Sequence, residues 1–290
     1  MLKKISLPKK YCKILFMPNV SKGYHLTIPV NHFSLSYDDL GEGDIPVIFL
    51  HGFPFDKTMW QGQMEFLKPD YRVIACDIRG FGKSTDEVSS LSMDLFSEDL
   101  IAFMNTLHIE KAIICGLSMG GFIALNAVQR FPDRFEALIL CDTQCIADTA
   151  EAKARRYANI DAIAVNGVAD FNEGFIKAVF HADSFSNKKE LVESLRKVVL
   201  ANSPHIISFG LTALAERSET CSALSNINLP TLIICGREDS VTPLAQSETM
   251  HRAIKGSVLQ VIDDAGHVSN LEQPQLFNKH LLDFLTALQQ

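Results

Sequence analysis

The sequence lacks any long run of apolar residues. No window approaches the ~20 consecutive apolar residues that a membrane-spanning helix needs, so no membrane partner is predicted. Lysines near the N-terminus precede an apolar stretch, residues 14–17, that is far shorter than a signal-peptide core. We therefore predict no export signal and expect a cytoplasmic protein.

An excess of positive charge is also missing. The chain has 34 acidic and 27 basic side chains and a formal net charge of -7, so a nucleic-acid partner is not expected. Its 47% hydrophobic and 21% charged residues are typical of a chain that buries a core and exclude general disorder. At 290 residues, it has room for one large core and an inserted smaller element.

Clustered metal-binding motifs are not found either. The seven cysteines are odd in number and several lie in apolar runs, which favours buried, reduced thiols over a disulfide framework. Cys141 and Cys145 are close together, but no second pair and no cluster of histidines accompanies them. We interpret them as packing residues and predict no metal site.

Short, nearly continuous apolar runs recur along the chain. Runs this short are typical of parallel strands that are covered on both faces, and helical spacing between them indicates strand–helix–strand units. The predicted strands are residues 47–50, 72–76, 112–115, 137–141, 231–235 and 258–262, and the predicted helices between them include 93–107, 121–130 and 243–254. Residues 32–37 alternate and predict an antiparallel edge strand.

The alternation of strands and helices stops between residues 144 and 226. That segment is helical by pattern, at 149–157, 168–180, 188–201 and 206–217, which predicts an inserted helical cap. The predicted organisation is a core of residues 30–143 and 227–290, a cap of 144–226, and an N-terminal extension of 1–29 with no assigned role. Because the cap begins and ends at the carboxyl edge of the sheet, it should cover a ligand site there.

A nucleophile elbow is predicted at Gly116-Leu117-Ser118-Met119-Gly120, which follows one predicted strand and precedes a helix. A sharp strand-to-helix turn strains the serine backbone and needs small neighbours. It would expose the Ser118 hydroxyl in front of a helix N-terminus, which favours developing negative charge. Ser118 is therefore the candidate nucleophile.

The segment Leu50-His51-Gly52-Phe53-Pro54 ends an earlier strand next to that elbow. The backbone N–H groups of Phe53 and Met119 are the candidate oxyanion hole. For the His51 ring, hydrogen bonding within the loop is the favoured interpretation, because this function needs the amide and not the imidazole.

Asp239 and His267 follow two later strands, and loops after parallel strands open at one edge of the sheet. We therefore expect Asp239 to orient His267, and His267 to act as the base for Ser118. Asp142 also ends a strand and is the alternative acid, although it more readily caps the turn that enters the cap.

Over about residues 30–290 the sequence resembles the α/β-hydrolase superfamily, and within it carboxylesterases and 3-oxoadipate enol-lactonase-like hydrolases. The resemblance lies in His-Gly-Phe-Pro at 51–54, Asp-Ile-Arg-Gly-Phe-Gly-Lys-Ser at 77–84, the elbow at 116–121, Gly-Arg-Glu-Asp at 236–239 and Gly-His at 266–267. The order serine, acid, histidine is also that of the superfamily. The resemblance implies an α/β-hydrolase fold with a mostly parallel sheet flanked by helices, a triad and a helical cap.

The sequence therefore predicts a serine hydrolase for a small-molecule carboxylic ester or lactone, working without cofactor or metal. A serine at position 118 argues against the carboxylate-nucleophile chemistry of haloalkane dehalogenases and epoxide hydrolases. Carbon–carbon bond hydrolases, cofactor-free perhydrolases, thioesterases and a non-catalytic receptor of this fold stay open as alternatives. The cap cations Arg155, Arg156, Lys177 and Arg217 could bind an acidic substrate, but solvated helix faces are favoured for them. The sequence does not indicate an oligomeric state.

Overall fold

The computed structural model describes residues 22–85 and 90–290. Within them, one sheet has the strand order β1-β2-β4-β3-β5-β6-β7-β8. The strands are β1 (Gly23–Val30), β2 (Phe33–Leu40), β3 (Val47–Leu50), β4 (Val73–Cys76), β5 (Ala112–Leu117), β6 (Phe135–Cys141), β7 (Thr231–Gly236) and β8 (Val258–Ile262). Only the β1–β2 and β2–β4 pairs are antiparallel, so the predicted mostly parallel sheet is confirmed.

Helices separate most of these strands along the chain. They are α1 (Gln61–Leu67), α2 (Met93–Thr106), α3 (Met119–Arg130), α4 (Ala150–Asn166), α5 (Ala169–Val179), α6 (Ser184–Asn187), α7 (Lys189–Ala201), α8 (Pro204–Ala215), α9 (Leu244–Ala253), α10 (Ser269–Glu272) and α11 (Pro274–Ala287). Local chemistry fixes several starts: the side chains of Ser92, Thr149 and Ser203 accept backbone N–H groups at the first turns of α2, α4 and α8. Every residue of β3, β4, β5 and β7 is buried, as expected for strands covered on both faces.

The N-terminal edge of the sheet differs from the prediction. Residues 23–29, which we placed in an extension outside the core, form most of β1, and β2 is consequently not the edge strand. The edge position explains why β1 was missed: only Val30 is fully buried, Leu26 and Ile28 are half-buried, and Pro29 is a residue tolerated mainly at edges. The rest of the predicted extension, residues 1–21, lies outside the described residues.

The segment between β6 and β7 is helical, as predicted, and we call α4 to α8 the cap helices. They contact the loops at the carboxyl ends of the strands: the Asn202 side chain donates to Pro54 O, and the His267 N–H donates to Val179 O. In the described part of the chain, no single helix is long and apolar enough to cross a membrane, and α7 with α8 would reach that length only with a 97° bend.

A disulfide joins Cys145 to Cys221, so the expectation that all cysteines are reduced thiols was wrong. Cys145 follows β6 and Cys221 precedes β7, and these two strands are neighbours in the sheet. The pairing thus follows from strand order, which cysteine spacing in the sequence does not reveal. The disulfide also removes the argument from reduced thiols for a cytoplasmic location.

Candidate active site

Ser118 lies at the turn between β5 and α3 with φ 53° and ψ −113°, a conformation that non-glycine residues rarely adopt. The turn requires glycine on both sides. A Cβ on Gly116 would lie 2.2 Å from Gly120 O, and one on Gly120 would lie 2.3 Å from Leu50 O. The predicted elbow is therefore present, and its backbone strain is maintained by close packing of β5, α3 and β3.

His267 bridges Ser118 and Asp239. Its Nε2 lies 2.8 Å from Ser118 Oγ, and its Nδ1 lies 2.8 Å from Asp239 Oδ2. When Nδ1 carries the proton and donates a hydrogen bond to the carboxylate, Nε2 is free to accept a hydrogen bond from the Ser118 hydroxyl. The three predicted residues, which come from three separate loops, are thus in one hydrogen-bonded chain. Both His267 and Asp239 are buried, whereas Ser118 is partly exposed and so accessible to a ligand.

The Asp239 carboxylate is surrounded by donors. Its Oδ1 accepts the N–H groups of Val241 (2.8 Å) and Thr242 (2.9 Å), and its Oδ2 accepts the Thr242 hydroxyl (2.7 Å) besides His267. Burial opposes ionisation of Asp239, but the charge of His267 and these hydrogen bonds outweigh it and lower the pKa of the carboxyl. Burial likewise opposes the charged form of His267, yet the Asp239 carboxylate raises the pKa of the imidazole above its usual value.

Asp142, the alternative acid, makes no hydrogen bond to the His267 ring. Its Oδ1 accepts Gly236 N (2.8 Å) and its Oδ2 accepts the Ser269 hydroxyl (2.6 Å) and, at 3.3 Å, the Ser269 N–H. Complete burial, followed by the charge of Asp239, raises the pKa of Asp142 to about 8. Burial therefore favours the neutral form of Asp142, and its hydrogen bonds connect the end of β7 to the residues just after His267.

Asp142, Asp239 and Cys235 place three possible metal-ligating atoms within 4.8 Å of one another. All four carboxylate oxygens already accept hydrogen bonds from the protein. Burial raises the pKa of the Cys235 thiol, so it is protonated at neutral pH and is a weak ligand. This donor set does not suit a cation.

The loop after β3 lies against the elbow. A Cβ on Gly52 would lie 3.3 Å from Ser118 Cβ, so the loop borders the serine at Gly52, the residue before Phe53. Met119 is the first residue of α3, where an N–H has no partner within the helix. The His51 ring is fully buried: Nδ1 donates to Gly52 O and Nε2 accepts Ile78 N, both at 2.9 Å. The interpretation of His51 as a residue that holds the loop is confirmed.

Glu272 is a site residue that the sequence analysis missed. Its buried carboxylate accepts Gly266 N (2.6 Å), His181 N (2.9 Å) and the Ser184 hydroxyl (2.5 Å). It therefore ties the loop that carries His267 to the chain between α5 and α6. No sequence pattern marks it, because two of its three partners, His181 and Ser184, lie 91 and 88 residues earlier in the chain.

A cavity of about 550 Å³ opens between α4, α5 and the loops of Phe53 and Asp239. The predicted cap cations differ in their surroundings. Arg155 is exposed in the cavity wall, and Arg156 in the same wall pairs with Asp148. Lys177 is exposed outside this wall, but Arg217 is buried and also paired with Asp148, at 2.6 Å, so its interpretation as a solvated residue was wrong.

Comparison with known proteins agrees with this geometry. The 3-oxoadipate enol-lactonase 2 of Acinetobacter baylyi is 32% identical over 253 residues, which cover 87% of this chain and 93% of that protein. A 2-hydroxy-6-oxononadienedioate/2-hydroxy-6-oxononatrienedioate hydrolase of Pseudomonas putida is 28% identical, covering 87% and 92%. The structure of a thermophilic esterase from Thermogutta terrifontis superposes with a TM-score of 0.86 at 33% identity, covering 91% of this chain and 98% of that chain. The family model for the alpha/beta hydrolase fold matches residues 45–274, and the chain therefore belongs to the α/β-hydrolase family.

Proposed function

We propose that this protein is a serine hydrolase that cleaves a carboxylic ester or lactone through an acyl-enzyme. The observation that carries the proposal is the chain of two 2.8 Å contacts from Ser118 through His267 to Asp239, at a serine held in a strained turn. Similarity to a 3-oxoadipate enol-lactonase and to an esterase supports this substrate class.

In the first half-reaction, His267 Nε2 takes the Ser118 proton while Oγ attacks the carbonyl carbon. The carbonyl oxygen becomes an anion that accepts the N–H groups of Phe53 and Met119. Asp239 holds Nδ1 protonated and stabilises the imidazolium. The intermediate then collapses: the bond to the leaving oxygen breaks, and that oxygen takes the proton from His267. A lactone opens in the same step and its alcohol stays attached.

In the second half-reaction, water attacks the acyl carbon and gives one proton to His267 Nε2. Collapse of the second intermediate releases the carboxylic acid as Ser118 Oγ recovers that proton. Both halves use the same groups, so the partly exposed face of Ser118 must admit ester and water in turn.

A second candidate function is hydrolysis of a carbon–carbon bond next to a carbonyl group. It is favoured by the similarity to the hydrolase of Pseudomonas putida. The same nucleophile would then form the acyl-enzyme, and the leaving carbon would need a proton in place of the leaving oxygen.

The test is steady-state turnover of a panel containing p-nitrophenyl esters, simple lactones, a carboxylated enol-lactone and a vinylogous 1,5-diketone. We expect ester or lactone turnover that Ser118→Ala lowers by about a millionfold in kcat. Ser240→Ala is the matched control, because Ser240 directly follows Asp239 but its hydroxyl donates to Ala178 O and makes no hydrogen bond to the triad. Labelling of wild type by a fluorophosphonate, but not of Ser118→Ala, should accompany turnover. Several per cent of wild-type activity in pure Ser118→Ala would contradict the proposal.

A further inference from the structure

Phe53 has two structural roles at once. Its backbone N–H is a proposed oxyanion donor, whereas its ring is buried among other aromatic rings. The ring makes edge contacts with Phe81 (centroids 5.8 Å apart), Phe171 (6.3 Å) and Phe175 (6.4 Å). Phe171 and Phe175 belong to α5, so the cap helices touch the residue that carries the donor.

Gly210, in the interior of α8, lets a second cap helix approach the same ring. A Cβ at Gly210 would lie 2.5 Å from Phe53 Cε2, 2.8 Å from Phe53 Cδ2 and 3.0 Å from Phe81 Cζ. Glycine inside a helix is unfavourable compared with alanine, so its presence here is explained by the close approach of the ring to the helix backbone. The Phe53 ring is therefore held between α5 and α8.

We propose that Gly210, with Phe171 and Phe175, positions the Phe53 amide for oxyanion binding by holding the Phe53 ring. The inference rests on the proposed function, because it assigns the cap helices a part in stabilising the transition state as well as in covering the cavity. The neighbouring aromatic rings limit rotation of the Phe53 ring about its two side-chain bonds. A ring that cannot rotate out of the way transmits a displacement to its own backbone amide. Oxyanion donors act only when they are correctly placed, and a displacement of about 1 Å can cost roughly a hundredfold in rate.

The decisive experiment compares Gly210→Ala with Gly62→Ala. Both replacements add one methyl group to a glycine in a helix, but a Cβ at Gly62, in α1, has no atom within 4 Å and Gly62 does not line the cavity. We expect Gly210→Ala to lower kcat for an ester by about 10- to 100-fold with KM changed by less than about threefold. Gly62→Ala should keep kcat within about twofold.

A Phe53→Ala background separates positioning from a general effect of the added methyl group. Phe53→Ala keeps the amide but removes the ring, so it should itself lose kcat, and adding Gly210→Ala should then cost nothing further. If Gly210→Ala lowers kcat equally in both backgrounds, or leaves kcat unchanged in the wild-type background, the inference is wrong. If Gly210→Ala fails to fold, Phe175→Leu is measured instead, with circular dichroism to check that it is folded. A kcat at least about threefold lower supports the inference, and an unchanged kcat overturns it.

Ser118→Ala, measured alongside, distinguishes this inference from the proposed function. If turnover survives in Ser118→Ala, the proposed function itself is wrong. If Ser118→Ala abolishes turnover but Gly210→Ala and Gly62→Ala have equal kcat, only the positioning role is wrong.

Discussion

Replacing Asp239 with asparagine would put an amide where the structure surrounds a carboxylate with donors alone. Two backbone N–H groups, from Val241 and Thr242, face Oδ1 and cannot turn away, so the amide oxygen must occupy that position. The NH₂ group then takes the place of Oδ2, where the Thr242 hydroxyl can rotate to accept from it. The other amide hydrogen points at His267 Nδ1, which lies 2.8 Å from Oδ2 in the wild type.

His267 must respond by moving its proton from Nδ1 to Nε2. In that tautomer, Nε2 no longer accepts the Ser118 proton, and the imidazolium loses its stabilising charge. Comparable triads lose about ten-thousandfold in kcat on this change, which corresponds to about 5 kcal/mol in the activation barrier. Because all four hydrogen-bond positions stay occupied, we expect the folded structure to be retained.

The assay is kcat for a p-nitrophenyl ester at pH 7, with Ser118→Ala as the blank and Asp142→Asn as the matched control. Burial favours the neutral form of Asp142, which asparagine resembles. The amide oxygen can accept Gly236 N and the NH₂ group can donate to Ser269 Oγ, so only the long 3.3 Å contact with the Ser269 N–H is lost. We expect Asp142→Asn to keep kcat within about tenfold of wild type. A collapse of kcat in Asp142→Asn, with Asp239→Asn near wild type, would refute the assignment of the acid.

Three further outcomes follow from the same structure. Because the imidazole must be neutral to act as base and the pKa of His267 is raised above 6.5, kcat/KM should fall on acidification with a midpoint above 6.5; a lower midpoint, or a flat profile while the protein stays folded, would contradict this. Because the pKa of Asp142 is raised, the native state binds more protons than the unfolded state between pH 3.8 and about 8. The unfolding free energy of the wild type should therefore decline with rising pH across that window, by at most about 1.4 kcal/mol per pH unit. Denaturant titrations should show a flatter pH dependence for Asp142→Asn. The double replacement Cys145→Ser with Cys221→Ser should cost about 2–4 kcal/mol and make Tm insensitive to dithiothreitol; a reductant shift equal to that of wild type would count against the disulfide.

Residues placed by the parallel sheet were predictable from the sequence. Ser118, Asp239 and His267 each follow a strand that is recognisable by its apolar run, and parallel strands end at one edge of the sheet. Their contact therefore depended only on finding those strands. Their catalytic roles stay predictions until the variants are measured.

The parts that sequence reasoning missed depend on partners far apart in the chain. Glu272 receives donors from two separate segments, and Cys221 meets Cys145 only because β6 and β7 are neighbours. Strand β1 was missed for a different reason, since an edge strand with one half-buried face carries too few apolar residues to be distinguished from a loop.

The Cys145–Cys221 bond closes the chain between β6 and β7 into a covalent ring, with its two ends 76 positions apart in the sequence. A protease cut anywhere inside that ring would leave a single molecule under non-reducing conditions, and the two halves of the sheet would remain linked. The bond also fixes the distance between Cys145 and Cys221, whatever residues lie between them in the sequence. Insertions or deletions within the ring would therefore change the closure entropy only with the logarithm of ring length, so a change in the length of this region alone would cost the sheet little stability.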